Sequence, residues 1–182
     1  MISSVKLIKP LRIADTRGYF AETYRKLEYF EMGIKDEFVQ ENHSLSHHVG
    51  SLRGMHFQSP PHAQSKLVRC GRGAIFDVAV DIRKGSPTFG HWAGYELSAN
   101  NGHQLYIPIG FAHGFVTLEP DSEIVYKCSD YYAPEKEGAL RWDDPDVAIE
   151  WPLKSAPVLS KKDAEASLFI DLITPFTWDG DK

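Results

Sequence analysis

Hydrophobic residues fall in short bursts along this chain. From Phe38 to Lys127, brief segments rich in Val, Ile, Phe, Tyr and Thr alternate with clusters of Gly, Pro, Asn and Asp, the signature of strands separated by turns. The pattern predicts strands over residues 37–41, 51–58, 65–70, 74–82, 91–98, 103–108, 113–119 and 122–128, with turn chemistry at 83–90 and 98–103. No helical period intervenes, so the expected class is all-β, a sandwich or jelly-roll barrel whose side chains alternate between inside and outside. Helix is expected only at the two ends. Residues 24–33 place Leu27 and Phe30 one turn apart with Gly33 as a stop, and residues 160–167 form the second candidate. Residues 130–152 carry too much Pro and charge to extend a sheet and are expected to wrap over it. There is no repeat, low-complexity tract or linker, which makes residues 1–182 a single domain.

Composition narrows the function. A charged fraction of 25% and a hydrophobic fraction of 42% are those of a globular protein, and no apolar run is long enough to cross a bilayer. The N-terminus lacks an apolar stretch followed by a small-residue cleavage site, so a cytoplasmic location is expected. Cys70 and Cys128 lie in strand-like segments and read as buried thiols. A net charge of −5 argues against nucleic acid as a partner. An anionic ligand would have to meet a local basic cluster.

Such a cluster exists. Residues 52–70 bring Arg53, His56, Gln58, His62, Gln64, Lys66 and Arg69 onto or beside two adjacent strands, a heavy polar load for a barrel wall. Strict alternation would put Arg53 and His56 on opposite faces. They can share a pocket only if the strand bulges, and Gly54 is the residue that permits it. Lys66 shares its face with Val68 and Cys70, so it either snorkels to the rim or meets a negative charge inside. Taken alone, His56 is more readily a hydrogen-bonded barrel histidine than a catalyst. Tyr126, on a face with Ile124 and Cys128, is by itself a core tyrosine. Asp163 has the form of a capping box with Ser160.

Pro108, Gly110 and His113 follow the P-x-G-x-x-H order of the second motif of metal-binding cupin barrels, and equally the order of a tight bend entering a strand. The first motif of those barrels has two histidines as H-x-H. Here the segment reads His56-Phe57-Gln58, an amide standing where a metal needs imidazole. Gly71-Arg72-Gly73 lacks the third glycine and the βαβ context of a dinucleotide site, and there is no phosphate-binding loop with Gly-Lys-Ser/Thr.

Taken together, DTRGYFAETY, FVQENHSLS, LRGMHFQSPPHAQSKLVRC, IFDVAVDIRKGSPTFG, QLYIPIGFAHGF, YKCSDYYAPEKEG, IEWP and LSKKDA resemble the dTDP-4-dehydrorhamnose 3,5-epimerase family over nearly the whole chain. The resemblance implies a cupin-type jelly roll and epimerisation of a dTDP-linked 4-keto-6-deoxy sugar at C3 and C5. It implies no metal and no redox cofactor. It also implies a homodimer that exchanges N-terminal strands from residues 1–36, with residues 130–182 wrapping the barrel. His56 then becomes the proton-abstracting base, Asp163 its partner, Tyr126 the general acid and Lys66 the group that holds the enolate oxygen. Arg53, His113, Glu137 and Lys162 match ligand-contacting positions, and Gln40 and Asn42 line the same pocket. Arg17 and Glu22 would reach the ligand from the exchanged strand, with Tyr19 and Tyr131 as candidates to stack on thymine. Met55 and Tyr106 depart from the expected leucine and tryptophan. Two alternatives stand beside this reading: inversion of one carbon of a related nucleotide-linked sugar, and a metal-dependent cupin enzyme.

Overall fold

Every ladder between the named strands is antiparallel, and the strands fall into two five-stranded sheets. The computed structural model describes residues 2–180. One sheet runs β1 (Lys6–Ile8), β9 (Gln104–Ile107), β6 (Lys66–Arg72), β11 (Ser122–Cys128), β4 (Gln40–Ser46). The other runs β12 (Glu137–Ala139), β5 (Leu52–Gln58), β10 (Phe111–Thr117), β7 (Ala74–Asp81), β8 (Trp92–Ser98). A separate hairpin joins β2 (Arg12–Asp15) to β3 (Gly18–Ala21). The all-β jelly roll expected from the pattern is thus present as two facing sheets and not as a closed cylinder. Among the described residues helix is limited to α1 (Lys26–Glu31), α2 (Lys161–Ala164) and two single 3₁₀ turns.

β7 shows why the sheets stack in three layers. Ile75 and Ala79 point between the sheets and join Val68, Leu105, Phe115 and Ile124 in the inner core. Its other face, Val78 and Val80, packs with Met55, Phe57, Leu140, Val147 and Phe176 under the C-terminal third of the chain. Buried on both faces, the strand reads as a near-continuous apolar run. Each such aliphatic side chain contributes about 1.5–3 kcal/mol when fully buried. Outside the first sheet, Tyr29 of α1 packs with Ile8, Ile34, Leu67 and Tyr106. The expected contacts of Leu27 and Phe30 are absent in the chain, since both are more than half exposed. Gly33 does end the helix, at φ +83°, with its N–H on Phe30 O.

Two details position the site. In β5, His56 lies opposite His113 and Arg53 opposite Phe115, so three steps on β5 match two on β10. Gly54, at φ +129°, takes up the extra residue, and a Cβ there would meet Gly114 Cα at 2.4 Å. The strand therefore bulges, which turns Arg53 and His56 toward the same cavity. Residues 158–163 then cross the end of the second sheet. Leu52 N–H donates to Val158 O at 3.0 Å and Val158 N–H to Gly50 O at 2.9 Å, tying this strap to the start of β5.

Candidate active site

A cavity of about 440 Å³ opens between the sheets, with Arg53 and His56 on one wall, Lys66 and Tyr126 on the other, and the strap across its side. A smaller annex of about 90 Å³ shares His56, Lys66 and Tyr126 and continues to Gln40, Asn42, Tyr132 and Glu137. His56 Nε2 lies 2.6 Å from Asp163 Oδ1. The carboxylate is 3% exposed. Asp163 serves both readings at once, because its N–H also donates to Ser160 Oγ at 3.1 Å and caps α2. A carboxylate only accepts, so it fixes the proton on Nε2 and leaves Nδ1 as the free nitrogen.

Electrostatics separate the roles. Burial pushes the His56 imidazole below its ordinary 6.5, and Asp163 only partly opposes this. His56 is therefore an unprotonated base at neutral pH. Tyr126 is held above 10.0, mainly by burial, and keeps its proton. Lys66 is pushed below 10.5 by burial, against the pull of Cys128, Asp77 and Glu137. For Glu137, burial acts upward, but bonds from Lys162 (2.5 Å) and the Tyr132 hydroxyl (3.1 Å) outweigh it and hold the carboxyl below 4.5.

The remaining expected residues divide into two groups. Arg53 lines the cavity with its guanidinium braced by Ser46 Oγ and Leu45 O. His113 lines it too, with Nε2 2.7 Å from Asp77 Oδ1. Lys162 stands on the strap, Glu137 on β12, and Gln40 donates to Asn42 Oδ1 in the annex. Tyr131 does not line the cavity or its annex: the residue is 65% exposed and its backbone oxygen accepts from Gln58. The next residue, Tyr132, lines the annex in its place, held by its N–H on Gln40 Oε1. Arg17, Tyr19 and Glu22 lie on or beside the β2–β3 hairpin, and none of them lines the cavity of its own chain. Arg17 pairs with Asp15, Glu22 with Arg25, and Tyr19 sits 4.2 Å under the Arg12 guanidinium.

Sequence reasoning passed over Asp77 and Tyr132. The signal for Asp77 was present, as a carboxylate sharing the inner face of β7 with Ile75 and Ala79. For a metal-dependent reading, His113 has Nε2 on Asp77 and only Nδ1 left to ligate. Among the described residues no group of three or more His, Cys, Asp or Glu gathers as a ligand set. Cys70 and Cys128 are buried and free, and no described helix is long and apolar enough to cross a membrane.

Residues 1–171 match the family model described as dTDP-4-dehydrorhamnose 3,5-epimerase. The chain is 52% identical over 168 residues to the dTDP-4-dehydrorhamnose 3,5-epimerase of Salmonella typhimurium, covering 92% of this chain and 91% of that one. It is 49% identical over 178 residues to the enzyme of the same name from Sinorhizobium fredii, covering 97% and 91%. Among solved structures, the dTDP-6-deoxy-D-glucose-3,5-epimerase of Legionella pneumophila, in complex with dTDP-4-keto-L-rhamnose, superposes with a TM-score of 0.93. Its identity is 47%, over 98% of this chain and 96% of that one.

Proposed function

The chain belongs to the dTDP-4-dehydrorhamnose 3,5-epimerase family, and from that premise we propose that its cavity inverts C3 and C5 of a dTDP-linked 4-keto-6-deoxyglucose through His56, Lys66 and Tyr126. The observation that carries this reading is the His56–Asp163 pair on one wall, with a protonated tyrosine and a lysine on the facing sheet. Both carbons flank the C4 ketone, which acidifies their protons. His56 Nδ1 removes the proton, and the negative charge that grows on the ketone oxygen meets the Lys66 ammonium. Tyr126 returns a proton from the opposite face. The electron pair never leaves the sugar, so the step is redox-neutral. Solvent takes the proton from His56 and reloads Tyr126, and the cycle repeats at the second carbon.

Arg53 and Lys162 supply positive charge for the diphosphate of the ligand in a chain of net charge −5. Tyr132, in place of Tyr131, offers the ring to stack on the nucleobase, and Gln40 and Asn42 present amides beside it. Incubation of the chain with dTDP-4-keto-6-deoxyglucose in heavy water is expected to place deuterium at both C3 and C5, read by NMR. Exchange at one carbon alone would reduce the reading to a single-carbon epimerase, and exchange at neither would overturn it.

A second protomer completes the site in this reading. The β2–β3 hairpin leaves Leu11, Ile13 and Phe20 at least 62% exposed, beside a groove of about 320 Å³ against α1. Its strong tie to the body is Arg12, which donates to Ala99 O and Asn100 O. Crossing to a partner would bury this face and bring Arg17 and Glu22 to the partner's ligand. Light scattering is expected to give twice the chain mass. Arg17→Ala is expected to raise KM about tenfold or more, the worth of a charged hydrogen bond, with kcat unchanged. A monomer of full activity would remove the proposal.

A further inference from the structure

Gln58 is 5% exposed at the end of β5, two residues past His56. Its Nε2 donates to Tyr131 O at 3.0 Å and also to His62 O, while its Oε1 accepts from the Ala133 N–H at 2.9 Å. Both amide hydrogens and the carbonyl are thus spent on backbone, and two of the three bonds go to the loop that follows β11. A neutral imidazole, with one donor and one acceptor, could make at most two of the three. That is a physical reason for an amide where the pattern of a metal barrel has its second histidine.

Two more glutamines tie the same loop. Gln40 Oε1, on β4, accepts from the Tyr132 N–H at 2.9 Å, and Gln64 Nε2 donates to Asp130 O at 2.7 Å. Each of residues 130–133 therefore has one backbone group held by a side-chain amide, with Gln40 reaching from one sheet and Gln58 from the other. Apolar packing does not hold Tyr131 and Tyr132, which are 65% and 57% exposed and belong to none of the core clusters. Water would satisfy the backbone groups of so exposed a pair, so what the amides add is a fixed place. The residue that needs one is Tyr132, which lines the annex and donates its hydroxyl to Glu137.

We propose that Gln58 is a positioning residue for the nucleotide end of the site, holding residues 131–133 so that the Tyr132 ring is in place before the nucleobase arrives. Binding then costs no ordering of that loop, and the saving appears as affinity. This deepens the epimerase reading above and rests on it. Gln58 serves binding and not proton transfer, although it stands two residues from the base.

Calorimetric titration with dTDP as the probe, beside steady-state kinetics on the same samples, tests this. Tyr132→Ala is expected to weaken dTDP binding about 10–100-fold, within the worth of one base–aromatic stack. Gln58→Met, similar in length but without the amide, is expected to weaken it about tenfold as part of the same loss, to raise KM alike and to leave kcat little changed. Added to Tyr132→Ala, the same substitution is expected to weaken binding no further. An equal loss in that background would mean that Gln58 acts on the ligand or the fold by itself, and a fall in kcat with dTDP binding intact would mean that it serves His56; either result overturns the proposal. The unaltered chain supplies a test that needs no variant to fold. Without ligand, the amide hydrogens of Tyr132 and Ala133 are expected to exchange slowly with heavy water, as held groups do, and fast exchange would show a loose loop and overturn the proposal. Failure of the wild-type chain to bind dTDP would overturn the nucleotide reading and this role with it, whereas equal binding by wild type and Gln58→Met would overturn this role alone.

Discussion

His56→Asn is expected to lower kcat by about 10²–10⁴-fold and to stop deuterium incorporation at both carbons, with the chain still folded. Asparagine keeps a polar contact to Asp163 and roughly the same shape but cannot take a proton. Asp163→Asn is expected to approach the same loss by another route, because an amide can donate to Nε2 and so favours the tautomer whose Nδ1 carries the proton. Since the two residues act as one unit, the double variant is expected to be little worse than His56→Asn. The pH profile adds a sign. His56 sits below 6.5 in the folded chain, so activity falls only as pH drops through that lowered value, and the acid limb of kcat/KM lies below pH 6.5. An acid limb above 6.5, or a double variant as poor as the product of the two singles, would contradict the assignment.

Lys66→Met is the second large effect, an expected fall of about 10²–10³ in kcat, comparable to losing one donor to a developing oxyanion. Methionine fills similar space beside Val68 and Cys70, so the fold should be kept or slightly stabilised, because a partly buried cation is removed. Lys66 lies below 10.5 while Tyr126 lies above 10.0. Loss of the Lys66 charge as pH rises is expected to give an alkaline limb in the wild-type profile, and any limb that Lys66 sets should vanish in Lys66→Met. Thermal unfolding and kcat measured on one sample separate the two consequences. A variant that retained wild-type kcat would show that the lysine serves binding only.

The central strands were readable because burial on one or both faces leaves an apolar period. β4 was misplaced, predicted at 37–41 and found at Gln40–Ser46, for a physical reason. Its inward residues Gln40, Asn42, Ser44 and Ser46 line or brace a polar cavity, while Leu45 points outward, 41% exposed. The usual rule is inverted there. β1, β2, β3 and β12 are three or four residues long, too short for a period to register, and β2 and β3 are largely exposed. The bulge in β5, by contrast, was legible as a conflict, since two chemically paired residues stood at a spacing that strict alternation forbids. The meeting of His56 with Asp163 was out of reach of local pattern, because 107 residues separate them. Only the resemblance joined them.

The strap carries one more consequence, in the order of synthesis. A ribosome releases β5 and its histidine long before residues 158–163, so a growing chain can lay down most of both sheets while His56 has no carboxylate behind it. The short helix α2, which emerges late, both closes the cavity wall and activates the base. Catalytic competence in this protein is in effect a certificate that translation has passed Asp163.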